Sequence, residues 1–129
     1  MHDNVIKVLG CGREALTLNG DPQGEKLYLV SELAENGDLF NLVMHEQGGG
    51  LDEKHCRKLF GSITQGVSYL HGVGVAHRDL KLDNIFLAAN NQPKIADFGL
   101  MKVFGTYDEW LFRTYVGTAA YMAPEIKKD

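Results

Sequence analysis

The chain has 129 residues and a formal net charge of −4, long enough to bury one core and too acidic, with no long basic run, to suggest a nucleic-acid partner. No apolar stretch approaches the roughly 20 residues of a membrane span, and the first residues lack the pattern of a secretory leader. Cys11 and Cys56 are far apart and unpatterned, so they read as free thiols of a reducing compartment, and a cytoplasmic location is the expectation. The histidines show no metal-ligand spacing, and His71 and His77 read as packing residues rather than zinc ligands.

Residues 7–17 and 26–33 read as two strands, joined through Asn19-Gly20-Asp21-Pro22-Gln23-Gly24, a segment dense in turn formers. Residues 37–46 read as a short helix with Asp38 near its N-terminus, where it suits an N-cap, and Gly48-Gly49-Gly50 breaks that helix. The spacing from Leu51 to Gly72 predicts a longer helix, with Cys56, Leu59, Phe60, Ile63, Val67 and Leu70 on one face as core. Asp52 and Glu53 suit the positive end of its dipole, and Gly72 and Gly74 end it.

Two short apolar runs then hold a loop, His77 to Asn84, that carries Arg78, Asp79, Lys81, Asp83 and Asn84. A carboxylate, two cations and an amide converging on one point are what a phosphate, a metal ion and a hydroxyl proton require. Asn90-Asn91-Gln92-Pro93 reads as the turn of a hairpin that brings Lys94-Ile-Ala-Asp-Phe-Gly99 back, with a second aspartate at its end. Leu100 to Val116 has the composition of a surface segment.

Three of these stretches carry a resemblance. His77-Arg78-Asp79-x4-Asn84 is similar to the catalytic loop of protein kinases, Asp97-Phe98-Gly99 to their magnesium-binding motif, and Ala123-Pro124-Glu125 to the end of their activation segment, in that order along the chain. The resemblance implies an α+β fold: part of the two-lobed kinase domain, with residues 1–33 from the end of the N-terminal lobe and 34–129 from the start of the C-terminal lobe. It implies ATP and Mg2+ as cofactors, a protein substrate, and a possible upstream activating kinase. Lysine in Asp79-Leu-Lys-x-x-Asn84 is the serine/threonine pattern.

Carried over residue by residue, Asp79 is the general base and Lys81 offsets charge on the transferred phosphate. Asn84 and Asp97 are the magnesium ligands. The carbonyl of Glu32 and the backbone of Ala34 face adenine, Phe86 lies under it, and Asp38 matches the acidic residue on the ribose as well as an N-cap. Ser31 falls at the gatekeeper position, where a small residue implies a pocket behind the adenine, or else is an ordinary strand serine. Phe98 is the packing half of a switch on Asp97, and Gly99 supplies backbone freedom there. Thr114 matches the phosphorylated position, with Arg78 and Lys102 as partners for its phosphate. Thr118 matches the threonine that bonds Asp79 and Lys81, whereas Thr106, Tyr107 and Tyr115 read as exposed polar residues.

The family's glycine-rich phosphate loop, strand lysine and its glutamate partner have no counterpart before the opening His2-Asp-Asn-Val, and Lys7 lacks the context to replace that lysine. The later helices, with an arginine partner for Glu125, have none after Asp129. The expectation is a piece of a kinase with an exposed apolar helix face and bare strand edges, binding ATP weakly and transferring negligible phosphate alone. A non-catalytic protein that binds a kinase partner or substrate is the alternative.

Overall fold

The computed structural model describes residues 1–18, 21–46, 50–104 and 116–127. The chain opens into an antiparallel ribbon of β1 (Val8–Leu18) and β2 (Asp21–Ser31), with register shifts after Val8 and after Ala15. The second strand starts earlier than the turn formers predict, with Leu18 opposite Asp21 and Thr17 opposite Pro22. A two-stranded ribbon consists of two edges, the setting in which a sheet tolerates proline. Leu9, Leu27, Tyr28, Leu29 and Val30 are exposed along it.

Helix α1 (Leu39–His45) follows, and Asp38 caps it by accepting from the Asn41 N–H at 2.8 Å. Helix α2 (Glu53–Gly72) is capped in the same way by Asp52, which accepts from the His55 N–H at 2.8 Å. It ends where Gly74 turns left-handed, φ 74°, and donates its N–H to the His71 carbonyl.

The stripe that faces the core is narrower than the spacing predicts. Leu59, Ile63, Val67 and Leu70 pack inward, while Phe60 is 73% exposed and Cys56 is exposed. Each residue advances about 100° round a helix. Phe60, one step past Leu59, is carried off the inward line. Cys11 is likewise an exposed free thiol, as the spacing of the two cysteines suggests.

After α2 come β3 (Val75–Ala76), β4 (Ile85–Ala88), β5 (Gln92–Ile95) and β6 (Lys102–Val103). Strands β3 and β6 pair antiparallel, and so do β4 and β5. The β4–β5 turn occupies Ala89–Asn91, not Asn90–Pro93, because Asn90 and Asn91 both take left-handed backbone, φ 56° and 55°. Asparagine tolerates that region, so the reversal is complete before Gln92 and Pro93, which join β5.

The β4–β5 hairpin is the spine of the molecule. Asn4 to Ile6 runs parallel beside β5, with Ile95 N–H donating to Asn4 O and Ile6 N–H to Ile95 O, both at 2.9 Å. On the other edge, Asn36 N–H donates to Leu87 O at 2.9 Å and Leu87 N–H to Gly37 O at 2.8 Å. Leu87 and Ile95 are wholly buried, and Ile95 shares a core with Leu39, Leu70 and Ile85. Helix α2 lies so close on this spine that a methyl group at Gly66 would come within 2.8 Å of the Asn4 carbonyl oxygen. Among the described residues no helix is long and apolar enough to cross a membrane.

Candidate active site

The loop between β3 and β4 is held from beneath by His77, which is 3% exposed. Its Nε2 bonds the Ala96 carbonyl at 2.8 Å and its Nδ1 accepts the Asp79 N–H at 3.3 Å. A carbonyl only accepts and a backbone amide only donates, so the ring carries its hydrogen on Nε2. Phe98 stands against the same ring, centroids 5.1 Å apart. One imidazole thus fastens the loop to the end of the hairpin.

Asp79 has four donors on its carboxylate. Oδ1 accepts from the Thr118 hydroxyl at 2.6 Å and the Thr118 N–H at 2.8 Å. Oδ2 accepts from Asn84 Nδ2 at 3.1 Å and is 3.2 Å from the Lys81 ammonium. Lys81 also donates to the Thr118 hydroxyl at 3.1 Å. The Thr118 hydroxyl is the largest influence holding the Asp79 carboxyl below its usual range; Lys81 and the Thr118 N–H act the same way, and partial burial opposes them.

Thr118 reaches the loop because Gly117 does. Its backbone is at φ 116°, and a side chain there would meet the Arg78 carbonyl oxygen at 2.7 Å. Arg78 is itself left-handed, φ 68°, and its Nε donates to Leu100 O at 2.7 Å. Strained backbone of this kind persists only where surrounding contacts hold it. Beside Asp79 opens a cavity of about 300 Å3, whose apolar walls include Leu80, Val116, Tyr121, Met122 and Ile126.

Asn84, 5% exposed, spends its amide nitrogen on Asp79, donating to the backbone carbonyl at 2.8 Å as well as to Oδ2, and its side-chain oxygen is the atom that could take a cation. Its own carbonyl accepts the Ala96 N–H at 2.9 Å, so Asn84 and the residue before Asp97 are adjacent across the hairpin ends. Asp97 is exposed and left-handed, φ 58°, with Oδ1 accepting the Gly99 N–H at 3.2 Å. The backbone freedom expected of Gly99 is therefore exercised by Asp97: a short carboxylate that bonds its own chain two residues on can hold that conformation. An amide oxygen and a carboxylate are hard donors that fit magnesium.

Of the residues expected at the nucleotide base and ribose, two meet on the β4 edge of the spine. Asp38 bridges Phe86 in the backbone ladder. Phe86 is the outward residue of β4, 37% exposed between buried Ile85 and Leu87. Both Asp38 oxygens are engaged by Asn41, so the capping role is realised. Glu32 and Ala34 are half-buried just beyond β2, and Ser31 is exposed at its end. Lys102 lies in β6 opposite Ala76. Thr114, Thr106, Tyr107 and Tyr115 fall outside the described residues.

Against known families, the model described as a protein kinase domain matches residues 1–129. The chain belongs to the protein kinase family. It is 46% identical over 101 residues to testis-specific serine/threonine-protein kinase 3 of Mus musculus, an overlap that covers 78% of this chain and 37% of the relative. It is 43% identical over 102 residues to CBL-interacting serine/threonine-protein kinase 17 of Arabidopsis thaliana, covering 78% of this chain and 23% of that protein. The chain thus spans little more than a third of the first relative and less of the second. Its mixed α and β elements accord with a kinase-type fold.

Motif reading missed three structural roles: His77 as the fastening of the loop, Gly117 as the close approach to it, and, away from the loop, the burial of Lys94, a β5 lysine only 9% exposed. Lys94 had a faint signal, a cation inside an otherwise apolar strand pattern.

Proposed function

We propose that this chain carries the phosphoryl-transfer centre of a serine/threonine protein kinase, acting on protein hydroxyls with ATP and Mg2+. The observation that supports it most is the four-donor cage on Asp79, closed by Thr118, Lys81 and Asn84. Four donors use the acceptor capacity of a carboxylate. A substrate hydroxyl must therefore displace one, and the longer contacts are both on Oδ2. Lys81, on turning to the transferred phosphate, clears Oδ2 for the hydroxyl, while Thr118 keeps Oδ1 and the orientation of the group. Asp79 then orients the hydroxyl and takes its proton as the bond from that oxygen to the γ-phosphorus forms and the bond from the γ-phosphorus to the bridging oxygen breaks, ADP leaving with the electron pair.

Asn84 Oδ1 and the Asp97 carboxylate would hold the metal, which supplies compensation for phosphate charge. Glu32 and Ala34 would offer backbone groups to the base, Phe86 would form its floor, and Asp38 would take the ribose, where a hydroxyl competes with Asn41. Phe98, packed on His77, governs whether Asp97 stays directed at the cleft. Phosphate on Thr114, added by an upstream kinase, would pair with Arg78 and Lys102.

The test is to bind Mg·ATP to the chain and to place residues 1–129 in the corresponding region of an active relative. We expect weak, magnesium-dependent binding that Asp97→Asn makes magnesium-independent, negligible transfer by the chain alone, and turnover in the chimera that Asp79→Asn abolishes. A chimera that turns over equally with Asp79→Asn overturns the assignment. Exposed Leu27, Leu29 and Val30 on the ribbon favour the second reading, a non-catalytic binder of a kinase partner or substrate, whose partner affinity Asp79→Asn would leave unchanged.

A further inference from the structure

Lys94 has no part in the chemistry proposed above, yet its ammonium is drawn into the interior. Its side chain is 11% exposed, and a charge so placed is costly unless acceptors surround it. Two do: Glu32 Oε1 at 2.9 Å and the Asp3 carbonyl at 3.1 Å. The same Glu32 oxygen accepts the Lys7 N–H at 2.8 Å, and the Glu32 N–H donates to Lys7 O at 2.9 Å. One ion pair therefore joins the segment before β1, the segment after β2, and β5.

Its location gives that junction a consequence. Lys7 and Glu32 are the two ends of the exposed β1–β2 ribbon, whose own base pair is Val8 with Ser31. Lys94 lies opposite Phe86 in the β4–β5 register and three residues before Asp97. The Lys94 bond, then the Lys7 N–H, hold the Glu32 carboxyl below its usual range, in keeping with a contact made between charged groups.

We propose that the Glu32–Lys94 pair is a pin that sets the angle of the β1–β2 ribbon to the β4–β5 hairpin, and with it the gap between Ala34 and Phe86. Glu32 and Lys94 are positioning residues. They touch neither the phosphates nor the acceptor hydroxyl, and they act through the backbone that follows β2. The effect on nucleotide rests on the proposed adenine site; the effect on geometry does not.

The native thiols make the geometry measurable. Cys11 on β1 and Cys56 on α2 are both exposed, so spin labels on them report the ribbon's orientation to the body by pulsed electron spin resonance, with no cysteine added. We expect one narrow distance distribution for the full chain. Lys94→Met and Glu32→Ala should each broaden it, and the double variant should be no broader than the wider single, since both break one contact. Lys94→Arg, which keeps the charge, should stay narrow. Distributions that match the parent's in the single variants, or widths that add in the double, overturn the pin.

Circular dichroism establishes that each variant is folded. Should Lys94→Met fail that check, Glu32→Ala, at a half-buried position, decides alone. In the nucleotide arm, both single variants should bind Mg·ATP about three- to tenfold more weakly than the parent. If the parent binds no Mg·ATP, the adenine-site reading fails and the distance measurement still decides the pin. If it binds and the variants bind equally well, the pin does not act on nucleotide.

Discussion

Asn84 donates its side-chain nitrogen to both the carbonyl oxygen and the carboxylate of Asp79, at 2.8 and 3.1 Å, from a site that is 5% exposed. The two residues thus form one unit: the amide that orients the carboxylate is oriented by it in turn. Asn84 is tied further through its own carbonyl to Ala96.

Asn84→Ala removes the donor and leaves the part-buried Asp79 carbonyl without its partner. A buried group left unsatisfied costs about 1–3 kcal/mol. Urea denaturation should show a loss of that order with an unchanged slope. A variant as stable as the parent would mean that water replaces the amide and that the loop does not depend on it.

Much of this region is legible without coordinates, for local reasons. Asp38 caps the helix that follows it because a cap is set by residues two to three positions away, and Asp52, which reads only as suited to the dipole of α2, caps that helix for the same reason. The loop of residues 77–84 and the hairpin after it are bounded by apolar runs that sequence displays directly. What could not be read depends on partners distant in the chain. The burial of Lys94 needs Glu32, 62 positions away, and the Asp3 carbonyl. Phe60 looks like core beside Leu59, and only the placement of α2 on the spine decides which of the two turns inward. Gly117 is one glycine among fifteen until Arg78 is known to lie against it.

The Asp79 carboxyl is held below its usual range chiefly by the Thr118 hydroxyl. A carboxyl lowered in the folded state contributes stability that is fully present above the unfolded value, about 3.9, and is lost as pH falls through the folded value. Asp79→Asn should therefore flatten the acid limb of the stability curve below about pH 4 relative to the parent. Thr118→Val should raise the Asp79 carboxyl towards its ordinary range, read from its side-chain carbon shift during an NMR titration. No movement on that substitution would put the cause elsewhere.

At Gly117 two obstacles coincide, a backbone at φ 116° and the Arg78 oxygen 2.7 Å from where a methyl group would stand. Gly117→Ala should cost about 1–3 kcal/mol or release the segment from the loop. In either case the Thr118 bonds to Asp79 weaken. In the active chimera the turnover number should fall more than the Michaelis constant for ATP changes, because the substitution leaves Phe86 and Asp38, the residues proposed for the nucleotide, untouched. An equal change in both would argue against a local effect on Asp79.

Helix α2 offers a paired comparison in which two opposing effects are weighed by position. Replacing glycine by alanine inside a helix is worth up to about 1 kcal/mol in backbone entropy and propensity. At Gly61 a methyl group meets nothing within 4 Å, so Gly61→Ala should raise the melting temperature. At Gly66 it would stand 2.8 Å from the Asn4 carbonyl oxygen and 2.9 Å from Ile95 Cδ1. Overpacking of that kind costs about 1–3 kcal/mol, and the nearest atom is backbone that pairs with β5 and has little room to yield. Gly66→Ala should therefore lower the melting temperature although the propensity change is the same. If both variants are stabilised, α2 stands farther from the spine than this packing has it.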